Sequence, residues 1–220
     1  MSLGSQPPHE RRDEAGIKRL SRGKMTRNKI LLILFAITFL WSVSLFIAPM
    51  TIPSGTVTDL DGYANRVDYP KKWDSMPLYP RIVYYLGDVQ CHQKWYRSFS
   101  INGNQMPVDA RVTSIYVGLT MGLLTATFAL QAPSILTSLM SLFPSRFRRL
   151  IREKIGYSWF IILLIATLIL PLALDGALQL FTTYESTNPR RVLTGFPFGW
   201  ISGLILGVMV STISKVRREA

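Results

Sequence analysis

The chain's single cysteine, Cys91, stands beside one of its two histidines, His92, in the stretch QCHQKWYRSF. Thiolate and imidazole are both zinc ligands, and a nearby carboxylate, Asp109, can supply a third. The same pair can form a nucleophile if the imidazole lowers the thiol pKa. A third use is structural: a small buried thiol and a hydrogen-bonded imidazole that pin a loop. The spacing matches no standard zinc finger, and neighbours in a chain often point apart. The residue types alone leave these three uses open.

A second set of candidates lies farther along. Asp175 interrupts an otherwise apolar run, and Gln179, four residues on, shares its helix face. Asp175 is expected roughly ten residues from the outer end of its helix, or ~10–15 Å deep at 1.5 Å per residue. A carboxylate at such depth faces a partner or water. One reading pairs it with Arg111, Arg190 or Arg191; the other gives it a proton, ion or metal role. Pro171 removes one helix donor and can kink the helix. Gly176 permits close helix approach. Glu185 and Asn188 follow. The candidate metal ligands are therefore Cys91, His92, Asp109, Asp175 and Glu185, with a divalent ion such as zinc as the expected cofactor. Arg97, Arg111, Arg190 and Arg191 carry the planar forks that suit phosphate or carboxylate. They form either an anion- or headgroup-binding rim or internal pairs with the acids. Gln93, Gln105, Gln179 and Asn188 are supporting polar groups.

The elements that must hold these residues are membrane helices. No charge occurs from Ile30 to Thr58, Val112 to Ser145, Ile155 to Leu174 or Val192 to Ser214. Crossing the hydrocarbon takes ~20 apolar residues, and soluble cores rarely offer four such runs. The expected fold is all-α and polytopic, with transmembrane helices near Ile30–Ala48, Val112–Leu130, Trp159–Leu180 and Leu193–Ile213. The residue before a proline avoids the α conformation, so Gln131-Ala132-Pro133 should end the second span. Ser134–Phe143 should then lie at the interface as a short amphipathic piece.

The net charge is +12, and its distribution sets the topology. Sixteen of the 25 basic residues and five of the 13 acids lie in the N-terminal arm, in Arg146–Lys154 and after Ser214. That side carries +11 and the other +1. By the positive-inside rule, both termini are cytoplasmic and the protein sits in the cell membrane. The basic segments then meet anionic headgroups. No readout motif accompanies the charge, so nucleic acid is not an expected partner. The first apolar segment is too long for a signal peptide and lacks a cleavage site.

The expected organisation is a disordered basic arm over 1–27, a membrane domain over 28–214 and a basic tail over 215–220. The membrane domain includes a long ordered extracytoplasmic loop, 51–111. A lone cysteine allows no internal disulfide, so packing, the membrane surface or a partner must order that loop. Leu78–Val89 should be a short helix. Trp73, Tyr79, Tyr84, Tyr85, Trp95 and Tyr96 suit an interfacial belt. Gly118 and Gly122, and the four-residue series Gly195, Gly199, Gly203 and Gly207, make small-residue seams for packing within the bundle.

Several ordered motifs carry a resemblance. They are CHQ (91–93), RSF (97–99), NGNQMPV-x-AR-x-T-x-IYVG (102–118), DG-xx-Q (175–179) and ESTN-x-xR-xx-TG-xxxG (185–199). Together they resemble the prokaryotic membrane proteins catalogued as domain of unknown function 2085. The preamble SMPLYPRIVYYLGDVQCHQ is similar to archaeal members. The resemblance implies a membrane unit over about Ala48–Gly199 and little about activity. Many members read PVCARCTG in the third motif. Here Asp109 and Val112 take the two cysteine positions and Ser114 a glycine position. A multi-cysteine zinc or disulfide site cannot exist in full in this chain. Either Asp109 replaces a thiolate with a harder oxygen ligand, or the cysteines are not what the members share.

Three functions remain open. The first is a metal- or anionic-lipid-binding site at the outer face, including metal-assisted hydrolysis or modification of a lipid-like substrate. The second is a non-enzymatic subunit of a membrane complex. The third is a small transporter using Asp175, which needs a homo-oligomer. The expected partners are the bilayer and a membrane protein or a second copy.

Overall fold

The computed structural model describes residues 28–132 and 134–219; the expected basic arm (1–27) and Pro133 lie outside them. Helix α1 spans Lys29–Ile47 and tightens into a 3-10 turn over Ala48–Thr51. Asn28 caps it, its side-chain oxygen accepting from the amides of Ile30 (3.0 Å) and Leu31 (3.4 Å). A long connection, here the cap, runs from Ile52 to Asp109. It carries α2 (Pro70–Asp74), α3 (Leu78–Gln90), a 3-10 turn at Trp95–Arg97 and a hairpin of β1 (Ser100–Ile101) and β2 (Asn104–Gln105). Then come α4 (Ala110–Ala126), α5 (Ile135–Met140), α6 (Ser145–Lys154), α7 (Tyr157–Phe181) and α8 (Asn188–Glu219).

Among the described residues, three helical segments are long and apolar enough to cross a membrane: Lys29–Thr51, Tyr157–Phe181 and Asn188–Ser214. Their outward faces are apolar. Of the 25 residues of α7, only Tyr157 and Asp175 are buried. A helix that exposes leucine and isoleucine along a whole face is covered by lipid or by another apolar surface. The expected second span is shorter than its sequence run. Helix α4 stops at Ala126, and its 17 residues reach only ~25 Å at 1.5 Å per residue. The helix ends four residues before Leu130, and the chain leaves through tight turns at Thr127, Phe128 and Ala129. Segment 134–143, expected as an amphipathic piece, packs into the bundle. Thr137, Ser138, Leu139 and Met140 of α5 are buried, with Leu139 and Met140 in apolar clusters that include residues of α7.

The bundle is organised around α4 and α8. Their backbones touch through the glycine seams. A Cβ at Gly118 or Gly122 would collide with backbone atoms of Phe196, Trp200 or Leu204. One at Gly199 or Gly203 would collide with the carbonyls of Ile115 or Leu119. The expectation that these glycines pack the bundle internally is met. Helix α1 lies on the other side of α4, where Ser42 and Thr120 share a 3.0 Å hydrogen bond. Asn28 reaches the Val210 carbonyl at 3.3 Å, so the start of α1 and the late turns of α8 share one end of the bundle.

The cap folds on a core of its own, built from Val57, Leu60, Trp73, Met76, Val83, Tyr84, Cys91, Met106 and Val108. Leu45, Ala48 and Ile52 at the exit of α1 complete it. This corrects the aromatic-belt reading for two residues. Trp73 and Tyr84 are fully buried and stack at 5.0 Å, whereas Tyr79, Trp95 and Tyr96 are exposed. The hairpin turns at Asn102 (φ 53°) and Gly103 (φ 68°), the left-handed pair that a two-residue hairpin loop requires. Helix α3 begins at Leu78 as expected and ends at Gln90.

Candidate functional site

The cap's buried side-chain amides act on backbone. Asn104 accepts from the Val57 amide (3.0 Å) and donates to the Pro49 and Pro53 carbonyls (3.0 Å each). Gln105 accepts from the Leu60 amide and donates to the Gln93 carbonyl at 2.5 Å. Gln93 donates to the Pro107 carbonyl at 2.7 Å. These groups fasten the two halves of the cap to each other and to the exit of α1. Asp88 was not singled out by sequence reasoning, yet it does similar work. Fully buried, its Oδ2 accepts from the amides of Asp68 (3.0 Å) and Tyr69 (3.1 Å) and from Trp73 Nε1 (2.7 Å).

The Cys-His pair does not act as a unit. Cys91 ends α3 and is buried, its sulfur accepting from the Asp109 amide at 3.4 Å. Burial, then the neighbouring Asp109 carboxylate, pushes its thiol up to about 12. A thiol held neutral in this way is a weak nucleophile. His92, the next residue, is exposed. Asp109 caps α4, accepting from the Val112 amide at 2.8 Å. At this position, an N-cap acceptor rather than a thiolate starts the helix. Among the described residues, no three His, Cys, Asp or Glu side chains gather as a metal site. Cys91, His92, Asp109, Asp175 and Glu185 are thus not brought together as one ligand set.

A different set does converge. Arg111, in the first turn of α4, reaches across to α7 and pairs directly with Asp175 Oδ2. Its Nη2 also donates to Gln179 Oε1 at 3.1 Å. The far oxygen of Asp175 accepts from Tyr184 Oη at 3.0 Å, and Arg190 Nη1 donates to that same hydroxyl at 3.2 Å. Gln179 Nε2 donates to Glu185 Oε1 at 2.9 Å. Glu185 in turn takes Arg97 of the cap on Oε2 (2.6 Å) and Arg191 on Oε1. Asn188 donates to the Ser98 carbonyl at 3.2 Å. One continuous network therefore joins the cap, α4, α7 and the start of α8. Asp175 lies six residues before the end of its helix at Phe181, about 9 Å in, shallower than expected.

Charge and dipole are unbalanced here. Four arginines (97, 111, 190 and 191) meet three carboxylates (Asp109, Asp175 and Glu185), an excess of one positive charge. Arg111, Arg190 and Arg191 all sit in first helical turns, where the helix dipole already presents positive charge. Four buried polar atoms in the same network have no hydrogen-bond partner: Arg97 Nε, Arg111 Nε, Ser186 Oγ and Asn188 Oδ1. Three of them are donors. Arg191 is itself almost fully buried, 1% exposed, with Nε on the Ser186 carbonyl at 3.0 Å.

The four arginines of the expected rim, Arg97, Arg111, Arg190 and Arg191, meet here with the supporting Gln179 and Asn188, and three of them pair with Asp175 or Glu185, which were expected as metal ligands. Gln93 and Gln105 belong to the cap clamp instead. Tyr184 was missed. The signal was present, since it stands in the short connection between Gln179 and Arg190, but a tyrosine in a turn is not unusual.

Comparison with known proteins identifies the family. The family described as predicted membrane protein (DUF2085) matches residues 91–205, from Cys91 through the cluster and most of the bundle. The chain belongs to the DUF2085 family. Two relatives are archaeal. An uncharacterized protein of Methanocaldococcus jannaschii is 30% identical over 171 residues, 78% of this chain and 84% of the relative. An uncharacterized protein of Methanothermobacter thermautotrophicus is 33% identical over 109 residues, 50% of this chain and 77% of the relative. No solved structure matches. This DUF2085 chain is a membrane protein, and the DUF2085 region carries all the arginines of the cluster.

Proposed function

We propose that this protein is a four-pass membrane protein of the cell membrane whose arginine cluster binds an anionic headgroup. Helix α4 would complete the fourth crossing, with its tight turns after Ala126 adding length. Its place between α1 and α8 supports this, because a short helix surrounded by protein needs no full lipid match. The basic residues of α6 and of the end of α8 support an orientation with that end and both termini in the cytoplasm, and the cap outside.

The observation that carries the binding reading is the set of unused donors in a net-positive site. Arg97 Nε, Arg111 Nε and Ser186 Oγ are buried donors without acceptors. Such groups cost about 1–3 kcal/mol each when left unmet. An anionic group held at the cluster would cancel the excess charge and give such donors an acceptor. A phosphodiester or carboxylate has that chemistry. A cation is the poorer fit, because Asp175 and Glu185 are already engaged by guanidinium groups. An ion path through Asp175 has no polar continuation, since the same face of α7 goes on as Leu172, Ile169, Leu168 and Ile165.

The test is binding of short-chain phosphatidylglycerol against short-chain phosphatidylcholine to the detergent-purified protein, read by calorimetry. The anionic lipid should bind at least ~10-fold more tightly, a difference of about 1.4 kcal/mol. Arg97→Gln, at the exposed edge of the cluster, should erase the preference. Equal affinity for both lipids refutes the reading.

A further inference from the structure

The seam below the cluster suggests what kind of molecule carries the anionic group. On α7, the residues turned toward the bundle include Ile161, Ile165, Leu168, Leu172, Asp175 and Gln179. Their spacing alternates four and three, one continuous stripe. Its upper two positions enter the arginine network and its lower four are apolar.

Beneath the network, α7 stands away from α8. The gap is an apolar crevice of about 200 Å³, lined mainly by Ile161, Leu164 and Ile165 of α7 and by Trp200, Ile201 and Leu204 of α8. Its one polar neighbour on α4, the Thr125 hydroxyl, is occupied by Trp200 Nε1 at 3.1 Å. A cavity without free polar partners does not hold ordered water. Inside a bilayer, hydrocarbon is what fills it.

The depth fits a lipid chain. Ile165 lies ten residues below Asp175 on α7, and Trp200 nine below Arg191 on α8. At 1.5 Å per residue, both offsets are about 14–15 Å. One leaflet of a ~30 Å hydrocarbon core has the same depth. We infer that the anionic group belongs to a lipid whose acyl chain descends the α7–α8 seam and ends in the Ile165–Trp200 crevice. The inference rests on the headgroup reading and adds the ligand class: a long-chain amphiphile rather than a soluble anion.

The test uses the full chain in lipid vesicles with two photoreactive probes, phosphatidylglycerol and phosphatidylcholine, each bearing a diazirine at the end of one acyl chain. Labelled peptides are mapped by mass spectrometry. The anionic probe should label the Ile161–Ile165 and Trp200–Leu204 segments several-fold over the outward face of α7 at Leu163 and Leu170. Ile165→Trp, which fills the crevice, should abolish that enrichment, and Leu204→Phe serves as a second filling variant. Short-chain phosphatidylglycerol binding should persist in both. Uniform labelling of inner and outer faces overturns the chain site and leaves the headgroup reading to its own test. Equal crevice labelling by both probes overturns the headgroup reading, and this inference with it.

Discussion

Arg111 in the first turn of α4 and Asp175 near the end of α7 are 64 residues apart in sequence and directly paired in space. Neither side chain is freely exposed: Arg111 keeps 17% of its surface and Asp175 keeps 8%. This pair ties the outlying helix α7 to the central α4–α8 pair.

Removing one partner of such a pair leaves the other charge buried and alone, at about 3–5 kcal/mol. Asp175→Ala and Arg111→Ala should each lower the thermal midpoint in detergent markedly. The double variant Arg111→Met/Asp175→Leu should recover much of that loss. Thermal unfolding followed by circular dichroism reads the comparison, and a double variant no better than the singles would show that the pair is not the tie.

The glycines make a sharper contrast. Gly199→Ala places a methyl group against the Ile115 carbonyl across the α4–α8 contact, so the helices must separate. It should destabilise the fold by several kcal/mol or prevent folding. Gly176→Ala meets nothing within 4 Å on α7. It should be neutral or stabilising by up to ~1 kcal/mol through helix propensity. Detergent-resistant folded yield and thermal midpoint measure both.

Cys91 should resist maleimide in the folded protein at pH 8 and react once the cap is unfolded. Its folded pKa of about 12 lies above the unfolded value of ~8.5. The neutral thiol is the form the fold favours. Its contribution is therefore complete below pH ~8.5 and falls away as pH rises from there toward 12. Wild type should lose stability over that window faster than Cys91→Ala, in paired denaturation curves.

Asp88→Ala strips the acceptor from two cap amides and the Trp73 indole. The cap core should loosen while the membrane helices persist. A red shift of tryptophan emission with unchanged helical circular dichroism is the expected signature.

Much of this fold was legible because apolar length is a strong signal. The glycine series of α4 and α8 likewise foretold a close backbone contact. The short reach of α4 was not legible. Its charge-free run continues to Ser145, and nothing in hydropathy alone marks the break at Thr127, where tight turns lead into the folded-back α5. The cap misled for a related reason. Trp73 and Tyr84 have the composition of an interfacial belt, yet a core needs large apolar groups too, and residue type does not say which one claims them. At the site, the arginines and Asp175 could be named because charge in an apolar chain is conspicuous. Cys91 and His92 were conspicuous by rarity alone. Their opposite exposures follow from the end of α3 at Gln90, which leaves Cys91 against the Asp109 amide and His92 outside.

The measurement that tests the central claim most directly is native mass spectrometry of the protein released gently from its own membrane. The account predicts one phosphate-bearing lipid retained per chain in the wild type, and its loss in both Arg97→Gln and Ser186→Ala. Wild-type protein that carries no anionic lipid, or both variants retaining it as fully as the wild type, would contradict the account.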